Sequence, residues 1–246
     1  MNFTRREISS ATRDGLRFVS APKNFTSLVL YFSGRRDPGI DRFIRCRIGA
    51  GAVFVDAGAN IGAYTVPASR QVGAGGRVVA FEAHPVTYAY LARNVALNGL
   101  GNVVALNNAL GSKPGWVEMD YQRSNPGETH VVADGEPTGV RVELATLDDA
   151  LAGLGIARID YLKIDVEEYE LQVLRGASGI IECSPGIVVQ TELIERHLRR
   201  YGTAVGDVVA FLRGLGLTPH RVHRDGSAQV VAEGMALPDD AVWLRV

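Results

Sequence analysis

From residue 53 onward, short apolar blocks alternate with stretches of helical periodicity. VFVDAG (53–58), RVVAFEA (77–83), NVVALNNAL (102–110), YLKID (161–165) and GIVVQTE (186–192) have strand length and are rich in apolar, often β-branched residues. The spacing between them predicts helices over Ile61–Val72, over 86–99, over YELQVLRGA (169–177) and over AVGDVVAFLRGLG (204–216). In the second of these, Tyr90, Leu91, Val95 and Leu97 fall on helical spacing, and Gly99 ends the run. HRVHRDGSAQVV carries Asp225-Gly226 between two short strands and reads as a hairpin, and AVWLRV closes the chain as a further strand. Tyr121–Thr138 shows no periodicity, and long irregular connections inside compact domains are often binding loops.

This alternation predicts an α/β, doubly wound, mostly parallel sheet covered on both faces, with an antiparallel C-terminal hairpin. In such sheets a ligand lies outside the carboxyl ends of the strands, where strand order reverses. The residues that end the predicted strands are Asp56, Glu82, Asn107 or Asn108, Asp165 and Glu192, and all are polar.

Composition narrows the class. The 246 residues are 46% hydrophobic and 22% charged with a formal net charge of −1, which gives no electrostatic bias toward nucleic acid or an anionic membrane. No run of 18 apolar residues exists to span a bilayer, and MNFTRREISS lacks the apolar core of a signal peptide, so a cytoplasmic location is the default expectation. Cys46 and Cys183 stand far apart without metal-site spacing and are expected to be small buried thiols. Residues 46–246 are expected to form the ligand-binding domain. Residues 1–45, with SLVLYF at 27–32 and Arg35-Arg36, are expected to cap the acceptor site or to contact a second copy of the chain.

The ligand is suggested by VFVDAGANIGAYT (53–65). A glycine turn between a strand and a helix lets backbone N–H groups approach a ligand closely. A dinucleotide fingerprint requires G-x-G-x-x-G, and Ala59-Asn60 stands where its second glycine belongs. Asp56 would repel a diphosphate but would welcome a ligand carrying an ammonium and a sulfonium, which favours S-adenosylmethionine over NAD. Asp56 needs a partner in any case, because an unpaired buried carboxylate is costly, and the expected partner is the ligand. Glu82, 20 residues past Gly62, suits the two hydroxyls of a ribose. The expected cofactor contacts are therefore Asp56, Gly58, Asn60, Gly62, Thr65, Glu82 and Asn108.

VFVDAGANIGAYT, VVAFEAHP…LARNVALNGL and LDDAL…IDYLKIDVEEYELQVLRGA together resemble the FkbM-type S-adenosylmethionine-dependent methyltransferases over roughly residues 50–195. The resemblance implies a class I methyltransferase fold and methyl transfer to a hydroxyl oxygen, often on sugars or polyketide-type natural products. The chain departs from the family pattern at Glu82-Ala83-His84-Pro85, where Glu-Pro-x-Pro is usual, and at Asp165-Val166-Glu167-Glu168, where Asp-Val-Glu-Gly is usual.

A hydroxyl acceptor needs a general base or an acidifying metal. Asp165 is the first candidate, with Lys163 two residues earlier on the same strand face. If that pair touches, Asp165 is an orienting acceptor more than a strong base. Glu192 follows, and Asp165, Glu167 and Glu192 form a hard-oxygen set that suits a magnesium-type ion. His130 and Arg123, in the irregular segment, are candidate acceptor contacts. His84 is expected to serve as cofactor-side scaffold, and His220 and His223 to lie at the surface. The rival readings are an NAD-dependent oxidoreductase and a non-catalytic domain that keeps the methyltransferase fold.

Overall fold

A computed structural model describes residues 7–12, 14–20, 37–120, 130–131, 140–166, 169–198 and 202–245. A hairpin of β1 (Ile8–Ala11) and β2 (Arg17–Ser20) precedes helix α1 (Pro38–Arg47). Then come β3 (Val53–Ala57), α2 (Thr65–Val72), β4 (Arg77–Phe81), α3 (Pro85–Leu97) and β5 (Val103–Leu106). Four short strands follow, β6 (Ala109–Leu110), β7 (Gly115–Asp120), β8 (His130–Val131) and β9 (Val140–Ala145), before α4 (Leu147–Gly153) and β10 (Tyr161–Ile164). The chain continues through α5 (Glu170–Arg175), α6 (Ser178–Glu182), β11 (Val188–Glu192), α7 (Glu195–Leu198) and α8 (Val205–Gly214). It ends with β12 (Leu217–Val222), β13 (Ala228–Val230) and β14 (Asp240–Arg245).

Among the described residues, the main sheet has eight strands in the order β13-β12-β14-β11-β10-β3-β4-β5. The five strands from β11 to β5 are parallel, and β14 runs antiparallel between β11 and β12. Both faces are covered, which explains why the central strands are mostly apolar. Val55, Val79, Leu162 and Val189 pack on one face with Leu147, Leu151, Leu174 and Leu212 from the helices. Phe54, Val78, Tyr161 and Val188 pack on the other with Ile40, Phe43 and Ile44 of α1 and Val72 of α2. The rings of Phe54 and Tyr161 stack there with centroids 5.0 Å apart.

Local chemistry sets the helix ends. Asp37 accepts hydrogen bonds from the N–H groups of Gly39 and Ile40, and Pro38 opens α1. Asp148, from the LDDAL motif, accepts from the N–H groups of Gly179 and Ile180 at 2.9 and 2.8 Å and so caps α6. Two asparagines of LARNVALNG bind the N-terminal hairpin as a neighbouring strand would. Asn94 pairs with the backbone N–H and C=O of Val19, and Asn98 with those of Arg17.

Several expected elements differ. The helix expected from Ile61 starts at Thr65, because Asn60 and Gly62 both hold positive φ, 51° and 92°, which no helix continues. The run 102–110 is two strands in different sheets, separated at Asn107 and Asn108. The hairpin of β12 and β13 forms as expected, but β14 enters between β12 and β11. A second sheet, ordered β6-β9-β7-β8, occupies the connection between β5 and α4, and its apolar face of Ala109, Met119 and Val142 packs with Ala83. Of Tyr121–Thr138 only the backbone of His130 and Val131 is described, and Arg123, SLVLYF and Arg35-Arg36 lie outside the described residues. Cys46 and Cys183 are exposed rather than buried, because each sits at or just past a helix end facing solvent. His220 is buried within β12, with Nδ1 2.9 Å from the carbonyl of Thr218, whereas His223 is exposed.

Candidate functional site

Strand order reverses at β3. The chain proceeds from β3 outward through β4 and β5, then returns to lay β10 and β11 on the other side. The crevice at the carboxyl ends of β3 and β10 is therefore the switch point at which such sheets bind ligands.

Two rows of polar side chains floor it. Asp56, Lys163 and Gln190 are direct cross-strand neighbours on β3, β10 and β11, and all are buried. They lie on the face that carries Phe54 and Tyr161 two residues earlier. The Lys163 ammonium stands 3.2 Å from Asp56 Oδ1 and 3.2 Å from Asp165 Oδ2. It also donates to the carbonyl of Gly58 at 3.4 Å and lies 5.1 Å from the centre of the Tyr64 ring. Thr65 donates its hydroxyl to Asp56 Oδ2 at 2.6 Å. The contact between Lys163 and Asp56 Oδ1 is an ion pair whose angle falls outside hydrogen-bond geometry.

The next row reaches the surface. The N–H of Asp165 continues the ladder to the carbonyl of Ala57, and the pairing of Ile164 with Thr191 sets Asp165 level with Glu192. Glu192 pairs in turn with Asp240 of β14. Asp165, Glu192 and Asp240, all partly buried, thus occupy neighbouring positions on adjacent strands whose backbones lie about 4.8 Å apart. Gln190 joins the rows by donating to Asp240 at 3.4 Å and accepting from the Tyr161 hydroxyl at 2.8 Å.

On the other side of β3, Glu82 follows β4 directly. Its carboxylate is buried, accepting from the N–H of Asn60 at 2.8 Å and of His84 at 3.0 Å. Burial pushes its pKa up to about 7, and the charge of Asp56 adds to the rise, while those two N–H groups and the Lys163 ammonium oppose it. His84 caps α3 by accepting from the N–H of Val86, and burial lowers its pKa, favouring the neutral ring such a cap needs. Asn107 donates to the carbonyls of Glu82 and Ala83 at 2.8 and 2.7 Å, which fixes the segment.

The expected ligand contacts divide accordingly. Asp56 and Thr65 are fully buried and bond each other, so the partner Asp56 requires comes from the chain, as Lys163 and Thr65, rather than from a ligand. Gly58 has φ +80°, and a Cβ there would lie 1.8 Å from the carbonyl oxygen of Asp165, so its bare Cα lets the turn lie against the end of β10. Gly62 likewise makes room for a chain neighbour, Leu91, which would stand 3.0 Å from a Cβ. Asn60 bonds its own side chain to the N–H of Ile61 and offers its N–H to Glu82. Asn108 turns toward Glu143 of the second sheet, at 3.2 Å, and Asn107 is the residue attached to the Glu82 segment. Asp165 and Glu192 come together at the mouth, and the His130 backbone pairs with Asp120 in the second sheet. Asp240, Gln190 and Tyr64 were not singled out by sequence. Asp240 reaches the mouth only because β14 runs antiparallel, so that its first residue lies where its neighbours end.

Among the described residues no three His, Cys, Asp or Glu side chains are grouped to hold a metal, and Glu167 lies outside them. No described helix is long and apolar enough to cross a membrane.

The family profile described as Methyltransferase FkbM domain matches residues 56–217. Methyltransferase sdnD of Sordaria araneosa is 35% identical, over 50% of this chain and 59% of that protein. The hexuronic acid methyltransferase AglP of Haloferax volcanii is 27% identical, over 56% of this chain and 55% of that protein. The chain thus spans little more than half the length of these curated relatives. The crystal structure of methyltransferase FkbM from Methylobacillus flagellatus superposes with a TM-score of 0.50 at 17% identity, covering 90% of this chain and 48% of that one. Trm5b of Pyrococcus abyssi gives a TM-score of 0.51 at 13% identity, covering 99% and 57%. At these identities the structures speak to the fold, and the strand order with its inserted antiparallel β14 is the class I methyltransferase arrangement. The profile covers well over half of the sequence, including both sides of the crevice, and the chain belongs to the FkbM methyltransferase domain family.

Proposed function

We propose that the protein transfers a methyl group from S-adenosylmethionine to a hydroxyl of a sugar or natural-product acceptor. One observation carries the cofactor half of this reading: a buried carboxylate, Glu82, stands at the carboxyl end of β4 beside the switch point. The donor set fits the group. A carboxylate offers acceptors to the two hydroxyls of a ribose, and the Gly58–Gly62 turn, with no glycine at Ala59 or Asn60, is not a diphosphate cradle. NAD is disfavoured on the same grounds. When bound, the cofactor supplies a methyl on a sulfonium, already electrophilic without protein assistance.

The residues of the chain then have distinct tasks. Glu82 would hold the ribose, Asn60 would fix the turn against Glu82, and Asp165 and Glu192, with Asp240 beside them, would face the acceptor hydroxyl. Asp165 orients that hydroxyl through a carboxylate already bonded to Lys163. Alignment of the nucleophile supplies most of the acceleration, on the order of several kcal/mol. Residues 1–45 would extend the catalytic unit at 46–246, with Leu16 and Phe18 packing on Ile61, Ala63 and Val66, while Ile40, Phe43 and Ile44 of α1, which runs across that boundary, belong to the core of the main sheet. The relative named for hexuronic acid methylation supports an acceptor of the sugar class. Incubation with S-adenosylmethionine and a panel of hydroxylated glycosides and polyketides should release S-adenosylhomocysteine with one acceptor gaining a methyl ether by mass spectrometry. Methylation confined to amines would overturn the hydroxyl assignment.

A further inference from the structure

The structure points to Lys163 as a positioning residue. We infer that its ammonium sets the carboxylate of Asp165 toward the acceptor and locks the end of β10 to the cofactor turn. The inference rests on the methyl-transfer reading above and deepens it. Lys163 is 2% exposed and lies beneath the crevice, so it reaches the acceptor only through another residue. Its contacts bridge both sides of the switch point: Asp56 and the Gly58 carbonyl belong to the β3 side, and Asp165 to the end of β10. The anchor is itself fixed, because Thr65 holds the far oxygen of Asp56 and the Tyr64 ring lies near the ammonium. Of the three charged groups only Asp165 approaches the surface, with 11% of its side chain exposed.

The chemistry argues against a purely structural contact. Burying an ammonium between two carboxylates strips hydration from three charges, a penalty that apolar side chains at all three positions would avoid, whereas removing Lys163 alone would leave Asp56 and Asp165 uncompensated. What the ion cluster provides, and an apolar side chain would not, is a fixed direction for the exposed carboxylate. Lys163 holds one oxygen of Asp165 at the end of β10, in the row that Glu192 and Asp240 continue.

A double-mutant cycle separates positioning from mere stability. Lys163→Met should lower kcat by about 10–100-fold, a loss typical of a misplaced reacting group, while KM for S-adenosylmethionine changes less than about threefold. In an Asp165→Asn background the same substitution should cost less than about threefold further, because the carboxylate it directs is already gone. Multiplicative losses, or a rise in KM alone, would overturn the proposal. A second measurement needs no variant at position 163 and no acceptor. Lys23, Lys113 and Lys163 are the three lysines of the chain, so 15N-lysine labelling gives three ammonium signals. One should be protected from solvent exchange and should move on Asp165→Asn. Three solvent-like signals, or a protected signal unmoved by Asp165→Asn, would refute the contact. Because this readout is independent of turnover, a failure of the methyl-transfer reading remains distinguishable from a failure of the Lys163 assignment.

Discussion

Gly58→Ala and Gly73→Ala form a matched pair that isolates the role of the cofactor turn. Both glycines hold positive φ, +80° and +66°, with Gly73 at ψ −173°, so an alanine at either position is strained by roughly 1–3 kcal/mol. At Gly73 nothing lies within 4 Å of the new Cβ, and that penalty is the whole cost. At Gly58 the Cβ would stand 1.8 Å from the carbonyl oxygen and 2.7 Å from the carbonyl carbon of Asp165. These are backbone atoms whose N–H neighbour is bonded to Ala57, so relief requires separating β10 from β3 at the row where Lys163 bridges them. The expected destabilisation exceeds that of the control by more than about 2 kcal/mol, in the range of severe core lesions, while the control loses only its backbone strain of roughly 1–3 kcal/mol. Urea denaturation measures both through the shift in midpoint at unchanged slope. Equal and small losses in the two variants would refute the claim that Gly58 exists to let the turn touch β10. A Gly58→Ala protein that keeps its stability but loses cofactor binding would instead restore a direct role at the ligand.

Two other perturbations address the charged groups. The Glu82 pKa stands at about 7 in the free protein, above its ordinary 4.5, so the folded chain holds a proton there that the unfolded chain has released between those values. Its contribution to stability is fully present below pH 4.5 and is lost as pH rises through 7, a swing of about 3 kcal/mol that Glu82→Gln should abolish in pH-resolved denaturation. Ribose hydroxyls donate to the charged form, so affinity for S-adenosylhomocysteine should weaken as pH falls below 7, by up to about tenfold per unit, and a flat profile would contradict the proposed contact. Asp165→Asn should lower kcat by about 10²–10⁴ with little change in cofactor affinity. If magnesium is the activating group, chelator will abolish wild-type activity and added magnesium restore it. A wild-type rate in Asp165→Asn with chelator harmless would move the acceptor chemistry elsewhere, with His130 the next candidate.

What the sequence made legible follows from what leaves a local signature. Parallel strands buried on both faces are mostly apolar, so β3, β4, β10 and β11 were readable, as were the polar residues at their ends near the mouth. Order across the sheet leaves no such mark, and the entry of β14 between β11 and β12, which carries Asp240 to the mouth, was not foreseen. The second sheet was missed because β6 and β8 are two residues long and continue or interrupt segments of other character. Asp56 shows the limit most clearly. Its need for a counter-charge was evident, but Lys163 stands 107 residues away, and the register that makes them direct neighbours belongs to the pairing of β10 with β3. Asn94 of α3 and Asn98 just past its end carry no local mark of their task, which is to bond the backbone of β2.

The central claim is that Glu82 beside the switch point holds the ribose of an adenosine cofactor that carries no diphosphate. Titration calorimetry of S-adenosylhomocysteine and NAD against the wild-type protein and Glu82→Ala tests it most directly. The account predicts that S-adenosylhomocysteine binds the wild type, that NAD gives no binding heat, and that Glu82→Ala weakens S-adenosylhomocysteine by about 1–3 kcal/mol with the fold intact. Unchanged affinity in the variant, or NAD binding that depends on Glu82, would contradict it.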